Sequence, residues 1–137
     1  MTEVSDAKKI EVGQAMIAAW NAMDWDAAAA LMTEDTVLHS MMVEPIVGRD
    51  AVHKRISGLG ALADSIELIV HNMGVINGTL YMERLDTFVC KGKPGSAPVC
   101  GALEFEGDKI KVWREYYDRH HLLSEMGVIE DFDAATR

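Results

Sequence analysis

Between residues 65 and 118 the chain reads as four strand-like runs, 65–75, 79–91, 97–106 and 109–118, separated by short turn signals. Asn77-Gly78 and Gly107-Asp108 have the composition of tight hairpin turns, and Gly92-Lys93-Pro94-Gly95 that of a looser one. Strands joined by so few residues must lie antiparallel to their sequence neighbours. The upstream segment has a different period. From 6 to 23, Ala7, Ile10, Gly13, Ile17, Trp20 and Met23 recur at steps of three and four, which predicts an amphipathic helix with Ser5 or Asp6 at its start. A short alanine-rich helix over 26–32, a strand over 36–42 and a third helix over 50–62 follow, and 119–126 can form a last short helix across the sheet end. Helices first and strands afterwards define an α+β fold in which about three N-terminal helices cover one face of a curved sheet.

The chain of 137 residues is long enough for one sizeable core and too short for two, so a single domain over 1–137 is expected. No apolar run approaches the roughly 20 residues of a membrane span, and the first residues lack a secretory leader. A soluble, cytoplasmic protein is the expectation. A net charge of −9 argues against nucleic acid and membrane surfaces as partners, because both are recognised by basic patches. Cys90 and Cys100 flank the expected looser turn, and without an export signal reduced thiols are expected. Adjacent His120 and His121 lack a partner histidine four residues away, so no metal site is predicted. Residues 66–75 are apolar on both faces; one face meets the helices, and the outer one is expected to meet a second subunit in a homodimer.

Within the run from Tyr81 to Phe88, alternation puts Leu80, Met82, Arg84, Asp86, Phe88 and Cys90 on one face. Arg84 and Asp86 therefore stand together among hydrophobes, where desolvation costs several kcal/mol per ion unless pairing and hydrogen bonds offset it. The run ending Trp113-Arg114-Glu115-Tyr116-Tyr117-Asp118 supplies further charge. If Asp118 enters the same helix-covered cavity, two carboxylates flank one guanidinium. One cation cannot neutralise both, which favours one carboxyl retaining its proton and puts a general acid beside a general base. Read without any relative in view, the same three charges serve equally as a buried lock on strand register.

Glu34-Asp35-Thr36, Gly48-Arg49-Asp50-Ala51-Val52, Tyr81-Met82-Glu83-Arg84-Leu85-Asp86, Gly107-Asp108-Lys109-Ile110 and Trp113-Arg114-Glu115-Tyr116-Tyr117-Asp118 together make most of the chain similar to the limonene-1,2-epoxide hydrolase family. That family sits among the cone-shaped NTF2-like and SnoaL-like folds, with a strongly curved mixed sheet. The resemblance implies one-step opening of a small lipophilic epoxide to a vicinal diol, without metal, cofactor or covalent intermediate. By motif position it implies Asp118 as base, Asp86 as acid and Arg84 as the bridge between them. The family also holds its water with a Tyr and an Asn two residues apart on the first strand, and ungapped those positions are Leu38 and Ser40 here. Ser40 still offers a hydroxyl, and His39 substitutes if a bulge turns it inward. Ile17, Trp20, Leu38, Leu59, Met82 and Phe88 are the candidate walls of the substrate pocket; each serves equally as core. An isomerase or cyclase of the same fold, and a non-catalytic small-molecule-binding domain, are the competing readings.

Overall fold

The computed structural model describes residues 3–137. Its elements run α1 (Asp6–Asn21), α2 (Trp25–Ala30), β1 (Met32–Ser40), β2 (Ile46–Val47), α3 (Arg49–Gly60), β3 (Ser65–Ile76), β4 (Thr79–Cys90), β5 (Lys93–Glu106), β6 (Lys109–Tyr116), α4 (Arg119–Met126) and α5 (Asp133–Thr136). One six-stranded sheet has the order β2-β1-β6-β5-β4-β3, curved and unclosed. The expected meander is present: β3 to β6 pair antiparallel in sequence order, and β1 closes onto β6 in parallel. No helix among the described residues is long and apolar enough to cross a membrane.

Local chemistry explains most of the boundaries. Ser5 accepts a hydrogen bond from the Lys8 amide and Asp24 one from the Ala27 amide, so both opening helices start on side-chain caps. The buried stripe of α1 is nevertheless Lys9, Val12, Gly13, Met16, Ala19 and Trp20, turned from the one expected. Lys9 accounts for the turn: its ammonium donates to Glu3 and to the Gly78 carbonyl, so its stem can enter the core with its charge paired. Ile17 consequently packs from the edge of the main core and does not reach the cavity described below.

The β4–β5 turn also differs from expectation. The chain reverses at Lys91-Gly92, with φ of 50° and 77°, and β5 starts at Lys93, so Pro94 and Gly95 are strand residues. The tight turn separates the cysteines: Cys90 pairs across the sheet with Lys93, whereas Cys100 lies opposite Glu83. Both thiols are free, Cys90 buried and Cys100 exposed.

Two apolar clusters fill the concave side. The larger joins α1, α2 and α3 to the sheet through residues such as Met16, Trp20, Met32, Ile56, Leu80, Leu103 and Ile110. The smaller gathers Cys90, Met126 and Phe132 where the C-terminal segment crosses the open end of the sheet.

Candidate active site

The alternation of β4 works as read from the sequence. Arg84 lies on the concave face with a side chain only 3% exposed, and its Nε and Nη2 donate to the two oxygens of Asp86, each at 2.9 Å. Its other edge meets a different acid from the one expected. Nη2 donates to Oε1 of Glu115 at 2.7 Å and Nη1 to Oε2 at 3.2 Å. One guanidinium thus grips two carboxylates, each with both oxygens engaged, and the Glu115 side chain is 10% exposed.

Asp118 is not part of this group. Its side chain is exposed and accepts from the His121 amide at 3.0 Å, capping α4. On β6, Trp113 and Glu115 face the cavity, and Arg114 and Tyr116 are absent from its lining; the strand ends at Tyr116, and Asp118 lies past it at the start of α4. The sequence carried two signals for Glu115: its two-residue step from Trp113, and Gly101 in the middle of β5. Gly101 lies opposite both Glu115 and Met82, and a Cβ there would sit 2.7 Å from Glu115 Oε2 and 2.8 Å from Arg84 Nη1. A glycine inside a strand often marks such a close approach.

Burial has the largest influence on Glu115 and raises its pKa above the ordinary carboxylate value; Arg84 pulls the other way and nearby Asp86 adds to the rise. Burial also works against the charge of Arg84, but Glu115 and Asp86 outweigh it and hold the guanidinium protonated. Two acids on one cation leave a negative charge in excess unless the pair keeps one proton.

The group opens onto a largely apolar cavity of about 100 Å³. Of the candidate wall residues, Trp20, Leu38, Leu59 and Phe88 line it; so do Ser40, the candidate for positioning water, and the residues of the charged group. Met82, although buried and on the predicted face, belongs to the main core rather than the cavity wall. His39 pairs in register with Arg114 and is absent from the lining, because β1 alternates plainly through Leu38 and Ser40 without an inward bulge there. Ser40 lies beside Glu115 in the parallel β1–β6 pair, and its hydroxyl makes no hydrogen bond among the described residues. Tyr117 brings a second hydroxyl to the lining. It accepts from Arg119 Nη1 at 2.8 Å, which leaves its own proton free to donate. Tyr117 and Arg55, another lining residue, were not singled out in the sequence. No cluster of metal-ligating side chains occurs among the described residues.

A curved, unclosed sheet with helices over its concave face and a polar group sunk in an apolar cavity defines the NTF2-like, SnoaL-like class. Residues 7–127 match the limonene-1,2-epoxide hydrolase catalytic domain, and the chain belongs to that family. Among solved structures, an LEH-like epoxide hydrolase from M. tuberculosis is 21% identical, with 88% of this chain and 90% of that one covered and a TM-score of 0.77. A protein from Jannaschia sp. CCS1 assigned as a SnoaL-like polyketide cyclase is 13% identical over 95% and 100% of the two chains, with a TM-score of 0.81. A Catenulispora acidiphila protein with a ketosteroid isomerase-like fold, solved with trimethylamine, is 19% identical over 86% and 93%, with a TM-score of 0.77. At these identities the likeness is one of fold.

Proposed function

We propose that the protein hydrolyses a small lipophilic epoxide to a vicinal diol in one step, using water as nucleophile and the Asp86–Arg84–Glu115 group as paired acid and base. The observation that carries this reading is the shared guanidinium: Arg84 Nη2 bonds both carboxylates and so holds two acids side by side at one end of an apolar cavity. Glu115 takes the base role because the free hydroxyl of Ser40 stands beside it, where a water can bridge the two. Asp86 takes the acid role. In the productive state Glu115 is ionised and Asp86 protonated; Glu115 accepts a proton from water as the oxygen attacks an epoxide carbon. The C–O bond breaks, and Asp86 gives its proton to the departing oxygen. The raised proton affinity of Glu115 makes it a stronger base once ionised. Return of one proton from Glu115 to Asp86 resets the pair. The Tyr117 hydroxyl is placed to support the water or the opening oxygen in the absence of the family's Tyr and Asn.

A ketosteroid isomerase-type reading would use His39 as base, and the position of His39 across the sheet from the cavity weighs against it.

Incubation with terpene, aryl and cycloalkene epoxides in ¹⁸O-labelled water tests the proposal. Label should enter the diol in the first turnover, and Glu115→Gln should lower the rate by about 10²–10⁴-fold, whereas Asp118→Asn should leave it unchanged. No turnover of any epoxide, or unlabelled diol in the first turnover, would sink the mechanism.

A further inference from the structure

The cavity holds a second buried guanidinium that the proposed reaction does not use. Arg55, on the inner face of α3, has a side chain only 3% exposed and lines the same cavity as Arg84. Its Nη1 donates to Asp133, and its guanidinium lies 5.3 Å from the centre of the Phe132 ring. Among the described residues, its Nε and Nη2 donate to none.

Those two nitrogens form the edge of the guanidinium that matches a carboxylate side-on. The chain uses this edge twice elsewhere. Arg84 holds Asp86 through Nε and Nη2, and Arg119 holds Asp131 through the same pair of atoms. Arg49 and Arg114 also leave donors unpaired, but both are only part-buried and water can reach them. Arg55 differs from both in being buried and in lining the cavity, where an anion can meet the unpaired edge of its guanidinium.

We infer that Arg55 is a recognition site for a carboxylate on the substrate. The ligand class is then a lipophilic monocarboxylic acid. Its acid group docks on the Nε/Nη2 edge of Arg55, its apolar body lies against Trp20, Leu59 and Phe88, and its reacting end reaches Arg84. Orientation follows from charge. Both edges of Arg84 are already filled by Asp86 and Glu115, which repel a further anion, whereas the open edge of Arg55 attracts one. That the reacting end is an epoxide rests on the reaction proposed above; the recognition of a carboxylate does not.

The test therefore uses a probe that cannot be hydrolysed as an epoxide. Cyclohexanecarboxylate and its methyl ester are titrated against the intact protein at pH 8, with emission of the cavity residues Trp20 and Trp113 as the readout. The acid should bind at least about tenfold more tightly than the ester, the scale of a charge-assisted pair. Arg55→Gln should bring the ratio to about one. Arg55→Lys, which keeps the charge and loses the two-donor edge, should leave a smaller preference than the wild type. Circular dichroism shows which variants fold, and the wild-type comparison stands without either. Equal binding of acid and ester, binding of neither, or a preference unchanged in a folded Arg55→Gln protein overturns the inference. Failure to hydrolyse epoxides leaves it intact.

Discussion

Gly101 has no side chain because the Arg84–Glu115 contact fills the space where its Cβ would stand. Gly101→Ala should accordingly push the pair apart and abolish turnover, with only a modest loss of thermal stability; an active Gly101→Ala enzyme would show that this contact is dispensable. Glu115 makes a second prediction at the same scale. Its folded-state pKa is raised above its unfolded value, about 4.5. The stability it contributes is therefore complete below that value and is lost as pH rises through the folded pKa. Glu115→Gln removes the titrating group, so the variant should lose less stability than the wild type when denaturant titrations are moved from acid to neutral pH. The rate should also rise with pH along an acid limb displaced above the ordinary carboxylate range, because Glu115 must lose its proton to act as the base. Half of this site was legible in the sequence, because Arg84 and Asp86 are two residues apart on one strand and alternation alone unites them. The other half was open to misreading. Which acid joins Arg84 from β6 depends on where that strand ends: Glu115 shares a face with Trp113, whereas Asp118 lies beyond the last strand residue, Tyr116.

α4 shows what Asp118 does instead. Its carboxylate closes the first turn of the helix, and the helix ends on Gly127, left-handed at φ 69°. Asp118→Ala should cost about 1 kcal/mol, a typical value for a lost N-cap, and Asp118→Asn should cost far less. Melting curves of the two variants check this without reference to activity. Elements with strong local chemistry, such as the capped start of α1 and the Asn77-Gly78 turn, follow from the sequence nearly residue for residue. Elements whose placement depends on a distant partner do not. Lys9 turned the buried stripe of α1 because Glu3 and the Gly78 carbonyl were there to receive it. Arg55 likewise entered the inner face of α3 because Asp133, 78 residues away, pairs with it.

Across the whole molecule, the C-terminal segment supplies part of the cavity wall through Leu122, Met126 and Phe132. Phe132 is buried, with the guanidiniums of Arg55 and Arg119 at 5.3 and 4.8 Å from its ring centre. Phe132→Ala should destabilise by about 3 kcal/mol, as large-to-small changes at buried aromatics do, and should weaken any ligand held in the cavity; urea titration measures the first effect. The β1–β6 pairing has a different consequence. It is the one parallel pair among the described residues, and it joins strands that begin at Met32 and at Lys109, whereas the pairs from β3 to β6 join sequence neighbours. Closing so long a loop costs more chain entropy than forming a hairpin, so this seam should form after the meander during refolding. Ser40 and Leu38 reach the cavity only across that seam, so enzymatic competence should return later than the circular dichroism signal of the sheet.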